Sequence, residues 1–360
     1  MKRRPPGRCA AECTGGVVQS DAQATLPLVA WYNHYMSAAQ NFTMWFDSVR
    51  PLPVPKFITG LRGTGKTALL LGLRERLLQE GLRPERALYI DTENPSTRRF
   101  ATHTQMIDHV LGALPATGRA AVFVREAAAL PDPEVVIGTL AASSRREVFA
   151  TSSSRRLLEH GLAGYFSTRL ARFEVLPEDG ETPYDAKSAC ARWNEIFLHD
   201  VLTQNRIYEV SLAERIAGWL SDNLGDPVSL RGISAAISPS RRFLSPHTIE
   251  AYLASLEDAY LVERAIRWDI AEDAPQQTGY RYFFTDPRLR IARFGPAPSG
   301  ETRRMLLNRA WLRLRRAMGQ VYVTSGSPEV DFMTRVKGAA LFWRVNDKGR
   351  AERVHFNAQF

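Results

Sequence analysis

The chain has few cysteines, few lysines and no long apolar run, and each shortage removes a class of protein. Three cysteines among 360 residues (Cys9, Cys13 and Cys190) give no disulfide framework. Cys9 and Cys13 have no second Cys/His pair at zinc spacing, which argues against a metal site near them. A reducing compartment, the cytoplasm, is the expected location. No apolar run approaches the roughly 18 residues that a membrane span needs. The opening stretch MKRRPPGRCAAECTGG is basic, but no apolar segment follows it, so it does not read as a secretory signal. Residues 1–25 are expected to form a disordered basic tail. A long basic block is also missing, although the formal net charge is +9. Lysines are only a handful; arginine carries the charge, scattered in pairs such as Arg98-Arg99, Arg155-Arg156 and Arg315-Arg316. A basic balance favours an anionic partner, whether nucleotide, nucleic acid or membrane surface. The scatter fits a solvated surface equally well.

What is present is an alternation. VPKFITG, RALYID, AAVFVR, EVFATS and ARFEVL are short apolar runs bounded by Gly, Pro or charge, and they read as strands. Between them lie helical patterns: one from Lys66 to about Gln79, another carrying Met106, Ile107, Val110, Leu111 and Leu114. Strands alternating with helices predict a parallel sheet covered on both faces. Beyond about Tyr184 the strand signal fades. SLAERIAGWLSDNL is expected to start on a capping box made by Ser211 and Glu214. A short helix fits SLRGISAAI. SPHTIEAYLASLEDAYLV places Ser245 at an N-cap and Pro246 at the first helical position. LVERAIRW and RYFFTD follow as strands. Three helices and a β-hairpin are the outline of a winged helix-turn-helix. The remainder, with MLLNRAWLRLRRAM and the strands QVYVTS, EVDFMT and AALFWRV, predicts a small α/β domain.

Gly60, Gly65, Lys66 and Thr67 fit G-x-x-x-x-G-K-[ST], entered by an apolar strand and left by a helix. Each part has a physical reason. The glycines let the backbone turn and bring N–H groups against phosphate oxygens, and the helix N-terminus adds partial positive charge. Lys66 is placed to reach the β- and γ-phosphates, and the Thr67 hydroxyl to ligate Mg²⁺. Gly60, Arg62, Gly63, Thr64, Gly65, Lys66, Thr67 and Ala68 are the expected ATP-binding residues, with Thr67 as the metal ligand.

The stretches ITGLRGTGKTALL, AAVFVREAAALPDPE, FATSSSRRLLEHGLAGYFSTRLARFEVLP, FLHDVL, SPHTIEAYLASLEDAYLV, RYFFTDPRL and EVDF occur in order from about residue 53 to 346. In that order they resemble a family of AAA-type ATPases of bacteria and archaea. In that family a P-loop core is followed by a winged helix and a domain similar to PD-(D/E)-x-K nucleases. The resemblance implies an α/β fold: a P-loop core over 26–180, a helical and winged-helix segment over 181–270, and a nuclease-like domain over 271–360. In the family the AAVFVRE strand ends in Asp-Glu, the Asp supporting the Mg²⁺ shell and the Glu polarising the attacking water. Here Glu126 stays and Arg125 replaces the Asp. An arginine has no acceptor for a metal-bound water, and could pair instead with phosphate or with Glu126. Asp91, at the end of RALYID, is the alternative support. The resemblance also makes Ser153 a γ-phosphate or lytic-water sensor and Arg169 a phosphate-contacting arginine, in cis or across a subunit interface. Thr168 stands where the family has Gly.

Two further departures bear on function. The exposed face expected for the SPHTIEAYLASLEDA helix is His247, Thr248, Glu250, Ala254 and Ser255, a poor face for a DNA groove, with Arg241 and Arg242 nearby for phosphates. Leu307, Arg344 and Asn346 stand where the nuclease pattern keeps acids and a lysine, leaving only Glu329 and Asp331. No nuclease activity is expected, and the pair reads as a salt-bridged strand edge. The sequence thus points to an ATP- and Mg²⁺-binding switch with weak or no hydrolysis. An active DNA-stimulated ATPase and a non-enzymatic DNA-binding or scaffold protein are the alternatives. Double-stranded DNA, a second copy of the chain and another protein are the candidate partners.

Overall fold

The computed structural model describes residues 38–162, 170–177, 185–238, 244–296, 302–325, 329–336 and 338–354. Its first part is a five-stranded sheet in the order β2-β3-β4-β1-β5. The strands are β1 (Lys56–Thr59), β2 (Ala87–Asp91), β3 (Ala120–Arg125), β4 (Arg146–Ser152) and β5 (Ala171–Glu174). All neighbours run parallel. Successive residues on a strand face opposite sides of the sheet, and the core divides accordingly. Ile58, Ala121 and Phe123 pack on one side against helices α1 (Ala38–Val49) and α2 (Lys66–Gln79). Phe57, Val122 and Val124 pack on the other against α3 (His103–Ala113) and α4 (Pro133–Ala141). The fold is therefore the expected α/β layer with helices on both faces. All five expected strands are present, and α2 spans Lys66–Gln79 as its pattern predicts.

The second part begins with α5 (Ala186–Glu195), which widens into a π-helical stretch over Ile196–Thr203. Helices α6 (Val210–Asp222), α7 (Leu230–Ile237) and α8 (Pro246–Asp258) follow. Ser245 caps α8 as expected, its hydroxyl accepting from the Thr248 N–H at 3.0 Å. The capping box expected at Ser211 does not form. Helix α6 starts at Val210 behind Glu209, with no side-chain cap, and Glu214 instead pairs with Arg293 at 2.8 Å.

A six-stranded sheet in the order β11-β10-β9-β8-β6-β7 closes the chain. It comprises β6 (Val262–Asp269), β7 (Ala274–Phe284), β8 (Val321–Ser325), β9 (Phe332–Val336), β10 (Ala339–Val345) and β11 (Ala351–Val354). Helices α9 (Pro287–Phe294) and α10 (Arg303–Met318) complete it. The β6–β7 hairpin, read from sequence as the end of a middle domain, joins this sheet through parallel pairing of Arg267–Asp269 with Val323–Ser325. One buried cluster accordingly runs from Trp193 and Phe197 through Leu253 and Leu256 to Trp311 and Phe332. Helices 186–258 and the second sheet share a core, and Leu61 of the loop after β1 is buried in it.

Candidate functional site

The site forms where the C-terminal ends of β1, β2, β3 and β4 meet, the usual position for a ligand on an open parallel sheet. The loop from Gly60 to Gly65 leaves β1 and delivers the chain into α2. Gly60 has φ +132°, and a Cβ there would lie 2.4 Å from the Val175 carbonyl oxygen, so only glycine fits. Gly65, at the N-cap of α2, is left-handed (φ 92°, ψ 8°), and no side chain caps the helix. The first-turn N–H groups of Lys66, Thr67 and Ala68 have no partner within the helix by construction, which makes this end an anion-binding cradle. The Thr67 hydroxyl makes no hydrogen bond among the described residues. The Thr64 hydroxyl donates to the Leu61 carbonyl at 2.9 Å, which shapes the loop.

Lys66 is buried. Its amine donates to the carbonyls of Gly60 and Leu61 at 2.9 and 3.0 Å and to the Ser153 hydroxyl at 2.9 Å. Burial pushes the amine below its ordinary pKa, and the Glu126 carboxylate 3.8 Å away pulls the other way. Glu126 accepts from the Ser153 N–H at 3.0 Å and from the Ser153 hydroxyl at 3.1 Å. Lys66 at the start of α2, Glu126 after β3 and Ser153 after β4 therefore form one buried triangle, and three of the expected site residues are brought together. Glu126 has φ 52°, a strained backbone for a residue with a side chain. Threonines hold it from β4 and from the turn after β2. Thr151 accepts from its N–H at 2.9 Å, and the Thr92 hydroxyl donates to its carbonyl at 2.8 Å.

Arg125 pairs neither with Glu126 nor with the phosphate cradle. Asp91 and Arg125 are register partners on β2 and β3, so their side chains lie side by side. The guanidinium donates to both Asp91 oxygens at 3.0 and 2.8 Å and lies 2.5 Å from Glu93. Asp91, the alternative metal support, lies on the edge strand β2, three places from β1 in the sheet, where Arg125 engages both its oxygens. The Arg62 guanidinium donates to the buried Asp200 at 2.8 and 2.7 Å and to Glu93 at 2.6 Å. Arg169, Arg241 and Arg242 lie outside the described residues.

Three residues beside the site were missed from sequence. Glu93 bridges Arg62 and Arg125. Asp200 is an acid within the apolar run FLHDVL, and that mismatch was its only signal. Arg192 on α5 approaches the Gly63 carbonyl at 3.5 Å. The continuation of β4 is tied to α8, since Asp258 accepts from the Ser154 hydroxyl at 2.8 Å and from the Arg156 N–H at 2.5 Å.

A nucleoside triphosphate fits this donor set. The uncapped helix end, the sterically required Gly60 and the buried lysine are all groups that suit phosphate oxygens. For a Mg²⁺ the described residues offer the Thr67 hydroxyl, while Arg125 at the end of β3 brings donors and no acceptor. In the second sheet, Asp331 is consumed by Arg303, which donates to both its oxygens at 2.7 Å, and by the Val345 N–H at 2.7 Å. Asn346 folds a turn instead, accepting from the N–H groups of Lys348 and Arg350 at 3.0 Å. Among the described residues no group of three or more His, Cys, Asp or Glu side chains is placed to hold a metal, and no helix is long and apolar enough to cross a membrane. On α8 the exposed residues are Pro246, His247, Glu250, Ala251 and Ala254. Ser255, expected on that face, is buried and donates to the Tyr252 carbonyl at 2.7 Å.

Residues 53–179 match the profile of an AAA domain. An uncharacterised protein of Haemophilus influenzae is 23% identical over 347 aligned residues, covering 86% of each chain. Among solved structures, a Walker-type ATPase of Pyrococcus abyssi aligns with a TM-score of 0.43 at 12% identity, over 71% of this chain and 95% of that one. A chain from the Drosophila ORC bound to AT-rich DNA and Cdc6 aligns with a TM-score of 0.29 at 14% identity, over 70% and 90%.

Proposed function

We propose that the protein binds ATP and works as a nucleotide-dependent switch that hydrolyses slowly or not at all. The observation that carries this reading is a complete phosphate cradle beside a β3 end whose metal-supporting position holds Arg125, tied to Asp91 and Glu93. The backbone of Gly63 to Ala68 would hold the phosphates, Lys66 would neutralise the β/γ end, and the Thr67 hydroxyl would face the Mg²⁺. The cation's contribution is to neutralise phosphate charge. Lys66 would exchange the Gly60 and Leu61 carbonyls for phosphate oxygens, while Ser153 bridges it to Glu126. Glu126 is the remaining carboxylate able to polarise a water, and Ser153 engages both its oxygens. Glu93 and Asp200, the other acids whose charge reaches Lys66, are taken up by Arg62 and Arg125.

The arrangement favours the switch over a DNA-stimulated ATPase. The exposed face of α8 offers one acid, one imidazole, a proline and two alanines, with no arginine or lysine for a groove. The shared core of helices and second sheet suits a module that receives the nucleotide state. Asp331, locked to Arg303, argues against nuclease chemistry. The test is ATP-induced stabilisation. At about 100 times its dissociation constant ATP should add about 2.7 kcal/mol to the wild type. Lys66→Ala should lose that gain, and equal stabilisation of both proteins would exclude this cradle as the binding site.

A further inference from the structure

Two residues of the phosphate loop, Leu61 and Arg62, engage the same helical segment. Leu61 is buried in the cluster that holds Trp193, Ile196 and Phe197. Arg62 presents Nε and Nη2 to the two oxygens of Asp200, while its Nη1 takes Glu93. Glu93 in turn takes Arg125 at 2.5 Å. Four charged residues thus form a chain, Arg125–Glu93–Arg62–Asp200, from the end of β3 through the phosphate loop into the helical region. Asp200 is fully buried (0% exposed) and lies in the π-helical stretch, where the widened turn interrupts the regular helix. The fork is bidentate, the geometry with the least freedom available to an arginine.

A loop with three left-handed glycines (Gly60, Gly63 and Gly65) loses much conformational entropy when ordered around a ligand. Holding residues 61 and 62 in place before the ligand arrives removes part of that loss. We propose that Arg62 and Asp200 are positioning residues through which helical segment 186–203 sets the nucleotide affinity of the phosphate loop. By reciprocity, nucleotide must rigidify that segment by the same free energy. Arg125 is then the far anchor of this chain, which gives a physical reason for an arginine at the β3 end. The inference rests on the nucleotide-binding reading above.

The test measures ATP affinity in the presence of Mg²⁺ by calorimetry, and amide hydrogen exchange with and without ATP, on the full chain. In the wild type, ATP should slow exchange over 186–203 as well as over α2. Asp200→Asn keeps the shape but removes the charge. It should weaken ATP binding by about tenfold, within the usual range of coupling between sites, and abolish the slowing over 186–203 while that over α2 persists. A dissociation constant within about twofold of the wild type, or an exchange pattern over 186–203 that ATP leaves unchanged in the wild type, would overturn the proposal. Should Asp200→Asn not fold, Glu93→Gln breaks the same chain at a partly exposed member, and the same loss of slowing is expected or the proposal fails. A wild type that binds no ATP at all would instead defeat the nucleotide-binding reading.

Discussion

Arg125→Asp alone would not be a clean restoration of a metal-supporting acid. The guanidinium makes two hydrogen bonds to Asp91 and a close ion pair to Glu93. Charge-assisted bonds contribute about 1.5–3 kcal/mol each in net terms, and the side chains of Arg125 and Asp91 are each 28% exposed, which puts them at the low end. Losing them costs about 2–4 kcal/mol, and the introduced carboxylate would face Asp91 and Glu93, adding repulsion. The double exchange Asp91→Arg with Arg125→Asp keeps the pair, because the two positions are register partners, and moves the acid to the end of β3. Urea denaturation should show the single variant destabilised by about 2–4 kcal/mol and the exchange by less than about 1 kcal/mol. Phosphate release from ATP with Mg²⁺ should rise about 10–100-fold in the exchange, the usual size of an outer-shell effect at a metal site. If the exchange folds as well as the wild type and hydrolyses no faster, Arg125 is not what limits turnover and the reasoning fails.

Other consequences are simpler. Gly60→Ala puts a Cβ 2.4 Å from the Val175 carbonyl oxygen at a φ of +132°. It should lower stability by about 2 kcal/mol or more and abolish ATP-induced stabilisation, read by thermal melts with and without ATP. Glu174 predicts a pH dependence. Burial pulls its carboxyl up, but Arg315, Arg172 and Arg155 outweigh burial and hold it at about 2, below its ordinary 4.5. Its folded pKa is depressed, so the stabilisation is complete above about pH 4.5 and is lost as the pH falls toward 2. Its size is on the order of 3 kcal/mol. Glu174→Gln should flatten the fall in stability between those limits in urea titrations, and an unchanged slope would contradict the assignment.

The parallel sheet and the phosphate cradle were legible in the sequence for local reasons. Each strand of the first sheet is a short apolar run with a breaker at its end, and Gly60 to Thr67 encode their conformation in their own residue types. The pairing of Arg125 was not legible, because its partners sit on another strand. Strand order, which sequence pattern leaves open, decides that Asp91 is its neighbour. The Arg62–Asp200 fork spans 138 residues, and a single acid in FLHDVL gives no hint of its partner. The β6–β7 hairpin reads as a local wing from its spacing. Its parallel pairing with β8 is a long-range contact that no periodicity encodes. The Ser211–Glu214 box shows the opposite error, a local signal overridden by the ion pair of Glu214 with Arg293.

The central claim is that the site holds ATP and barely turns it over. It is tested most directly by measuring ATP binding by calorimetry and phosphate release on the same preparation of the wild-type protein. The account predicts saturable, Mg²⁺-supported binding with turnover at least about a hundredfold below the roughly 10 s⁻¹ of a typical enzyme. Turnover near that typical rate, or no binding at all, would contradict it.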